Sequence, residues 1–493
     1  MRRLLLAVCG IGSLLLLACG EEKLQYADIY VTADAEGFYS PHVEQNQTIG
    51  GYGVLKKFVE ALESPFLLFD GGNWLGTVPE NALTEGAFIT PFLKEIPYTA
   101  ATLSESDFMH GWPSLRSTVR EMPYPFVVSN LRLENTLPWP LHDYQIRTIG
   151  PLKIGIFGVM QANQSASKDA RLMGINVLDP LQTAQEMTAL LKEKQVDYII
   201  VLSALGEPKE NGISDSTLAQ EVEGINLILS SNKDRQQAES EQIGNTLLVY
   251  PGAHLERIGH VRIFFDKTKQ IHQTDFEDIL LLKEKYGEDE ALGTRAAVLR
   301  KETGEKMNKR VTSAAQEIVT YEQRESPLGA LLSECLYKWS KLDGAVLNGG
   351  SIRSNLPKGE IREYDVYKMY PYGDNITFVT LKGAALTQAL QNSMNAENNF
   401  PQVAGLQIEY TSTPVGKKIK KIVLANGRIV RPNETYRIAV TDHILAGGFG
   451  HDSFINALEF KNTFVEARQI MRACLIKQKQ IALPSSSHFK EVK

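Results

Sequence analysis

The chain has 493 residues, 43% of them hydrophobic, which is material for two cores, and it sets 52 Lys and Arg against 58 Asp and Glu for a net charge of −6. That balance, with no basic patch, argues against nucleic acid as a partner. The N-terminus, MRRLLLAVCGIGSLLLLACG, joins two arginines to a short apolar run ending in Leu16-Leu17-Ala18-Cys19. This is the pattern of a secretory leader closed by a lipobox, so cleavage is expected after residue 18 with acylation of Cys19. The mature chain would then be anchored to a membrane by lipid rather than by a span. An uncleaved anchor helix is the alternative, for which the apolar run is short. Gly20, not Asp, follows the cysteine, so the usual inner-membrane retention signal is missing and the expected address is the outer membrane of a bacterial envelope, facing the periplasm or the outside. Loss of the leader removes Arg2 and Arg3 and no acid, taking the charge from −6 to −8. Cys335 and Cys474 then remain, and they either pair or stay buried as small hydrophobes.

From Ala27 to about Phe265, β-rich runs alternate with amphipathic segments: ADIYVTA, FLLFD, YPFVVSN, LKIGIFGV, VDYIIVLSALG, INLILSS, TLLVYPG and GHVRIFF. The alternation predicts an α/β layer architecture with a largely buried sheet. Several runs end in small or polar residues, Asp34, Asp70, Asn130, Ala204 and Ser231, so the strand ends are expected to converge on one rim, where an open α/β sheet carries its site. The stretch FLLFDGGNWLG stops a buried run at a paired-glycine turn and then offers Asn73, an amide that brings no charge. EDEALGTRAAVLRKETGEKMNKR, rich in Glu, Lys, Ala and Arg, predicts an interdomain helix, and mixed helices and strands follow from Val311. The expected division is a leader over 1–18, a first domain over 19–285, a helix over 286–310 and a second domain over 311–493.

The second domain carries the most specific text. DGAVLNGGSIRSNLPKGEI, YPYGDNITFVTLKGAALTQAL, FPQVAGLQIEY and YRIAVTDHILAGGFGHDSF come in that order, with ESPLGALLSECL before them. Together they resemble the C-terminal domain of the 5′-nucleotidase family, and the likeness extends through most of the mature chain. It implies a layered metallophosphatase-like N-terminal domain of α/β class, a linker helix, and an α+β C-terminal domain of 5′-nucleotidase type. Family members hold two divalent cations at N-terminal strand ends beside a His-Asp dyad. Carried over residue by residue, Asp34 is kept in VTADAEGFY while Glu36 stands at a histidine position; Asn73 stands at the metal-bridging aspartate; and LSESDFMHG places Glu105 at a metal asparagine, Ser106 at the dyad histidine and Met109 at the dyad aspartate. Ala204 replaces one ligand histidine, and Asn232 and Asp234 replace a histidine pair.

A two-cation centre needs a bridging anion and neutral nitrogen donors to bind and to lower the pKa of the attacking water. With the bridge an amide and those histidines gone, the implied catalytic set is empty, and the expectation is a catalytically degenerate domain with no cofactor. One alternative stays open: Asp34, Glu36, Asn73 and Asp234 offer only oxygen on this register, a set that selects a single Mg²⁺ or Ca²⁺ and would keep an active phosphoesterase alive. His110 is a substitute acid or base on that reading, against its plainer reading as a loop histidine. In the second domain the resemblance implies a nucleobase clamp. Asn348 and Arg353 match its polar turn, Tyr372 and His443 take the two stacking positions, Phe449 replaces a ribose-binding aspartate, and Glu322 stands at an arginine position. Flat rings accept any base face, so the expected partner is a nucleoside or other small aromatic molecule, or a protein, at the interdomain cleft; Arg353 has an equal reading as a brace for its own turn. A purely structural lipoprotein is the third reading, favoured if Phe449 fills the pocket.

Overall fold

The computed structural model describes residues 24–161, 174–206, 212–231, 237–448, 451–483 and 487–492, with the side chain of residue 452 excepted; the leader, Cys19, Asn232, Asp234 and Phe449 lie outside them. Each apolar run of the N-terminal half forms the strand expected of it. Where one buried sheet was expected there are two, packed face to face. The first runs Ile271–Leu280, Arg257–Phe265, Gln25–Thr32, Phe66–Asp70, Ala100–Ala101, Phe126–Val127, Leu141–His142 in spatial order. The second runs Glu239–Ile243, Thr246–Tyr250, Leu227–Ser230, Tyr198–Ala204, Leu152–Met160, Tyr144–Ile149. Alternate side chains divide the strand Gln25–Thr32: Ala27, Ile29 and Val31 enter the core between the sheets, where they meet Ile154, Ile200 and Leu229, while Tyr30 enters the core beneath the outer helices. Strands buried on both faces lose the polar alternation that would have assigned them to one sheet or another.

Helices cover both outer faces. Tyr52–Glu60 and Gly111–Glu121 bury Val54, Leu55, Phe58, Trp112 and Leu115 on the first sheet. Pro180–Glu193 buries Ala184 and Leu191 on the second; Asp179 caps it by accepting from the Gln182 amide, with proline at the first helical position. The helix Glu290–Met307, capped by Asp289, drives Leu292 and Ala296 into the N-terminal core and leads to the second half of the chain.

There a five-stranded sheet runs Pro401–Ala404, Gly344–Asn348, Thr435–Thr441, Asn375–Lys382, Glu459–Glu466. Helices Pro327–Ser340 and Ala467–Ile476 pack on one face through Leu328, Leu332, Met471 and Leu475, and Gly383–Ser393 packs on the other through Leu386 and Leu390. Cys335 and Cys474 form a disulfide between the two helices of the first face, with Cα atoms 5.7 Å apart, which settles the alternatives left by sequence. Among the described residues, no helix is long and apolar enough to cross a membrane.

Candidate functional site

The N-terminal rim is built where strands of both sheets end. A Cβ on Gly71 would meet the Ala33 Cβ at 2.8 Å and the Ser231 Cβ at 3.3 Å, so the glycine lets the end of the first sheet reach the end of the second. Gly76 brings backbone to backbone, since a Cβ there would fall 1.8 Å from the Glu36 carbonyl oxygen. On this rim Asp34 and Asn73 are 3% and 4% exposed, and Glu36 is half-buried. Asn73 Nδ2 donates to Asp34 Oδ1 at 2.8 Å and to Glu36 Oε1 at 3.1 Å. The amide thus stands between two carboxylates and spends both of its protons on them. His254 completes the group: its Nε2 lies 3.4 Å from Glu36 Oε2, its backbone N–H donates to the Asp34 carbonyl at 2.7 Å, and hydrogen bonding to Glu36 holds its pKa above the usual histidine value. Asp34, Glu36, Asn73 and His254 all have positive φ, between 45° and 61°, a conformation that costs a side-chain-bearing residue free energy and concentrates at built sites.

Two buried carboxylates hold this loop from beneath. Asp107 Oδ2 accepts from the backbone N–H of Asn73 at 2.8 Å and of Ser104 at 2.9 Å and from Ser104 Oγ at 3.0 Å, while Oδ1 accepts from the Trp74 N–H at 2.8 Å. Asp70 Oδ1 accepts from Gly72 N–H and Trp74 Nε1, and Oδ2 from Thr32 Oγ1. Burial raises both carboxyls, that of Asp70 to about 6, against the pull of these donors. Sequence reasoning passed over Asp107 and His254. Asp107 was findable as the one acid between Glu105 and Met109; His254, in PGAHLERIG, gives no local signal because it reaches Glu36 only through the fold.

Glu105 and Ser106 are half-buried on the turn Glu105–Phe108, and Met109 and His110 follow it. Asn81 binds this end of the loop, with Nδ2 3.1 Å from Met109 Sδ and Oδ1 2.8 Å from His110 Nε2. His110 is therefore engaged by the helix Pro79–Thr84. At the ends of the second sheet, Ser203 Oγ and Ser230 Oγ both donate to Asp215, and Ala204 offers only a methyl group. A two-cation centre requires an anionic bridge and several imidazole donors; among the described residues the carried-over positions supply an amide already bonded to both acids, a serine, a thioether and a methyl group, with His254 the one imidazole in contact with those acids, and they do not fit it.

In the C-terminal domain Asn348 ends the strand Gly344–Asn348, and its Oδ1 accepts from Gly350 N–H at 3.3 Å; its Nδ2 is buried with no partner among the described residues. Arg353 is exposed, donates to the Gly350 carbonyl at 3.2 Å and pairs with Glu322 at 3.7 Å. Glu322 thus sets a negative charge beside the Arg353 guanidinium. Tyr372 is half-buried, edge-on to Tyr370 at 6.1 Å, and burial raises its phenol pKa. His443 lies on the helix Asp442–Leu445. Asp442 accepts from the Asn375 backbone and side chain at 3.2 and 3.4 Å, which ties the Tyr372 turn to the His443 helix. A Cβ on Gly373 would lie 3.6 Å from Met109 Cγ, so this turn faces the loop of Ser106 and Met109 across the domain boundary.

Comparison with known proteins agrees with this architecture. Residues 306–458 match the family model described as 5′-nucleotidase, C-terminal domain. Over 386 residues the chain is 27% identical to the trifunctional nucleotide phosphoesterase protein YfkN of Bacillus subtilis, covering 74% of this chain but only 25% of that longer protein. It is 22% identical over 483 residues to a 5′-nucleotidase of Vibrio cholerae, covering 86% of each. The crystal structure of the 5′-nucleotidase precursor from Thermus thermophilus shares the fold, with a TM-score of 0.66 at 21% identity over 95% of this chain and 99% of that one.

Proposed function

Taking as premise that this chain belongs to the 5′-nucleotidase family, we propose that it is a lipid-anchored member that has lost phosphoester hydrolysis and binds a small aromatic ligand of nucleoside type, or a protein partner, at the interdomain face. The observation that carries the first half is Asn73. Its amide donates to both Asp34 and Glu36, so the acids that would draw a cation are already satisfied by a neutral group and by His254. Water activation by paired metals has no anionic bridge here and, among the described residues, only the His254 imidazole in contact with the rim acids, and a loss on that scale removes the mechanism rather than slowing it. The same bonds weigh against a single hard cation on the oxygen set, because binding it would require Asn73 to surrender both contacts. The second half rests on the tie between the Tyr372 turn and the His443 helix, and on Glu322, which cancels the charge of Arg353 and so disfavours phosphate relative to an uncharged ring.

The test is a hydrolysis assay of nucleotides and a generic phosphomonoester with Mg²⁺, Ca²⁺, Mn²⁺ and Zn²⁺ added in turn. It is joined to a thermal-shift screen of bases, nucleosides and nucleotides. The expected result is no turnover above buffer, and a shift with bases or nucleosides at roughly micromolar to millimolar affinity. Tyr372→Ala with His443→Ala should abolish that shift without unfolding the domain, as a retained cooperative melt shows. Cation-dependent turnover lost in Asp34→Asn would overturn the reading in favour of a remodelled phosphoesterase.

A further inference from the structure

A second group of ligating side chains stands beside the rim, and no part of the functional reading uses it. His42 and Glu44 alternate on the strand His42–Glu44, which pairs in a short hairpin with Gln47–Ile49 and so presents both to one face. Glu256 arrives from the turn before the strand Arg257–Phe265. One nitrogen or oxygen from each of the three lies within 4.8 Å of the other two. His42 Nε2 and Glu256 Oε1 are already 3.0 Å apart. Bonds of about 2.0–2.1 Å in a tetrahedral zinc site set ligand atoms roughly 3.3 Å from one another, so this pair is close to ligating spacing. Glu44 is exposed, with a carboxylate oxygen inside the same 4.8 Å group. His42 Nδ1 is buried with no partner among the described residues, so a turn of the ring breaks no second hydrogen bond there.

The surroundings resemble the outer shell of a metal centre. His254 Nδ1 is 3.8 Å from the same Glu256 Oε1, and its other nitrogen reaches Glu36, so Glu256 is backed by an imidazole that is itself held. The Phe38 ring stacks on His254 at 4.0 Å and meets His42 edge-on at 5.3 Å, screening that flank from solvent. We propose that His42, Glu44 and Glu256 bind one divalent transition cation of the Zn²⁺ type, at a site separate from Asp34, Glu36 and Asn73. The imidazole nitrogen sets the class: Mg²⁺ and Ca²⁺ prefer oxygen alone, whereas one nitrogen with two carboxylates suits Zn²⁺ and leaves a position for solvent. The ion pins the exposed hairpin to the sheet beside the rim.

Equilibrium dialysis of the purified chain against Zn²⁺, with elemental analysis, tests the assignment, and Co²⁺ absorption reports the coordination. About one Zn²⁺ per chain is expected in the wild type and in Asp34→Asn, with affinity reduced roughly tenfold or more in His42→Ala and in Glu44→Gln. Glu44→Gln guards against misfolding, since that side chain is exposed; its metal-free melting temperature should equal that of the wild type. Absence of Zn²⁺ from the wild type, or its retention in both hairpin variants, overturns the proposal. Loss confined to Asp34→Asn also overturns it, and moves the metal to the rim.

Discussion

Replacing Asn73 by aspartate tests whether the rim groups converge as described. In the wild type the amide makes two hydrogen bonds to carboxylates, at 2.8 and 3.1 Å, each worth about 1.5–3 kcal/mol net when the acceptor is charged. The variant loses both and places a third acid at the same separations. Two like charges about 3 Å apart repel by roughly 5 kcal/mol at an effective dielectric constant near 20. The trio avoids that full cost by holding a proton, which for a carboxyl raised about three units costs about 4 kcal/mol at pH 7. The retained proton restores one of the two hydrogen bonds, so a net loss of about 5–7 kcal/mol follows, or roughly 10–25 °C in melting temperature for domains of this size.

The sign with pH is fixed by the direction of the shift. A carboxyl raised in the folded state is protonated there before it is in the unfolded chain, so the deficit is small below about pH 4 and grows as pH rises. Melts of wild type and Asn73→Asp in EDTA at pH 5 and 7.5, with Ca²⁺ or Mg²⁺ then added, provide the measurement. The variant should lose more at the higher pH and recover about 2.7 kcal/mol when the cation reaches a hundred times its dissociation constant. Equal melts at both pH values, with no cation effect, would refute the convergence of Asp34, Glu36 and position 73.

Other consequences are open to direct measurement. The Cys335–Cys474 bridge spans a sequence separation of 139, so Cys335→Ser with Cys474→Ser should cost about 3–5 kcal/mol in denaturant unfolding of the C-terminal domain. Burial alone would lower the His488 pKa, but Glu325 at 2.7 Å and Glu334 at 3.4 Å outweigh it and lift the imidazole to about 9. The rise corresponds to about 3 kcal/mol, which partial solvent exposure reduces to roughly 2; this should be fully present below about pH 6.5 and lost as pH rises through 9, a dependence absent from His488→Gln. Cys19→Ser should leave the chain unprocessed and free of label from radioactive palmitate, whereas equal incorporation in both forms would count against the lipobox.

Much of this protein was legible along the chain. The strand runs FLLFD, LKIGIFGV and VDYIIVLSALG declare themselves because buried strands are local in composition, and the ordered C-terminal motifs indicate the family because their glycines and asparagine serve turns that depend on adjacent residues. That an amide, Asn73, follows the paired glycines is likewise visible in one line of text. Its consequence is not, because a donor is defined by what it donates to. Only the fold brings Asn73 within 2.8 Å of Asp34, 39 residues away. His254 reaches Glu36 across a separation of 218 residues, and His42 reaches Glu256 across 214. The strands Gln25–Thr32 and Arg257–Phe265, paired antiparallel from Gln25↔Phe265 to Val31↔Gly259, bring those segments together. Which sheet each buried strand joins, whether the two cysteines bond, and which charges neutralise one another are decided by contacts between distant segments. Sequence periodicity reports only whether a face is buried, not what it is buried against.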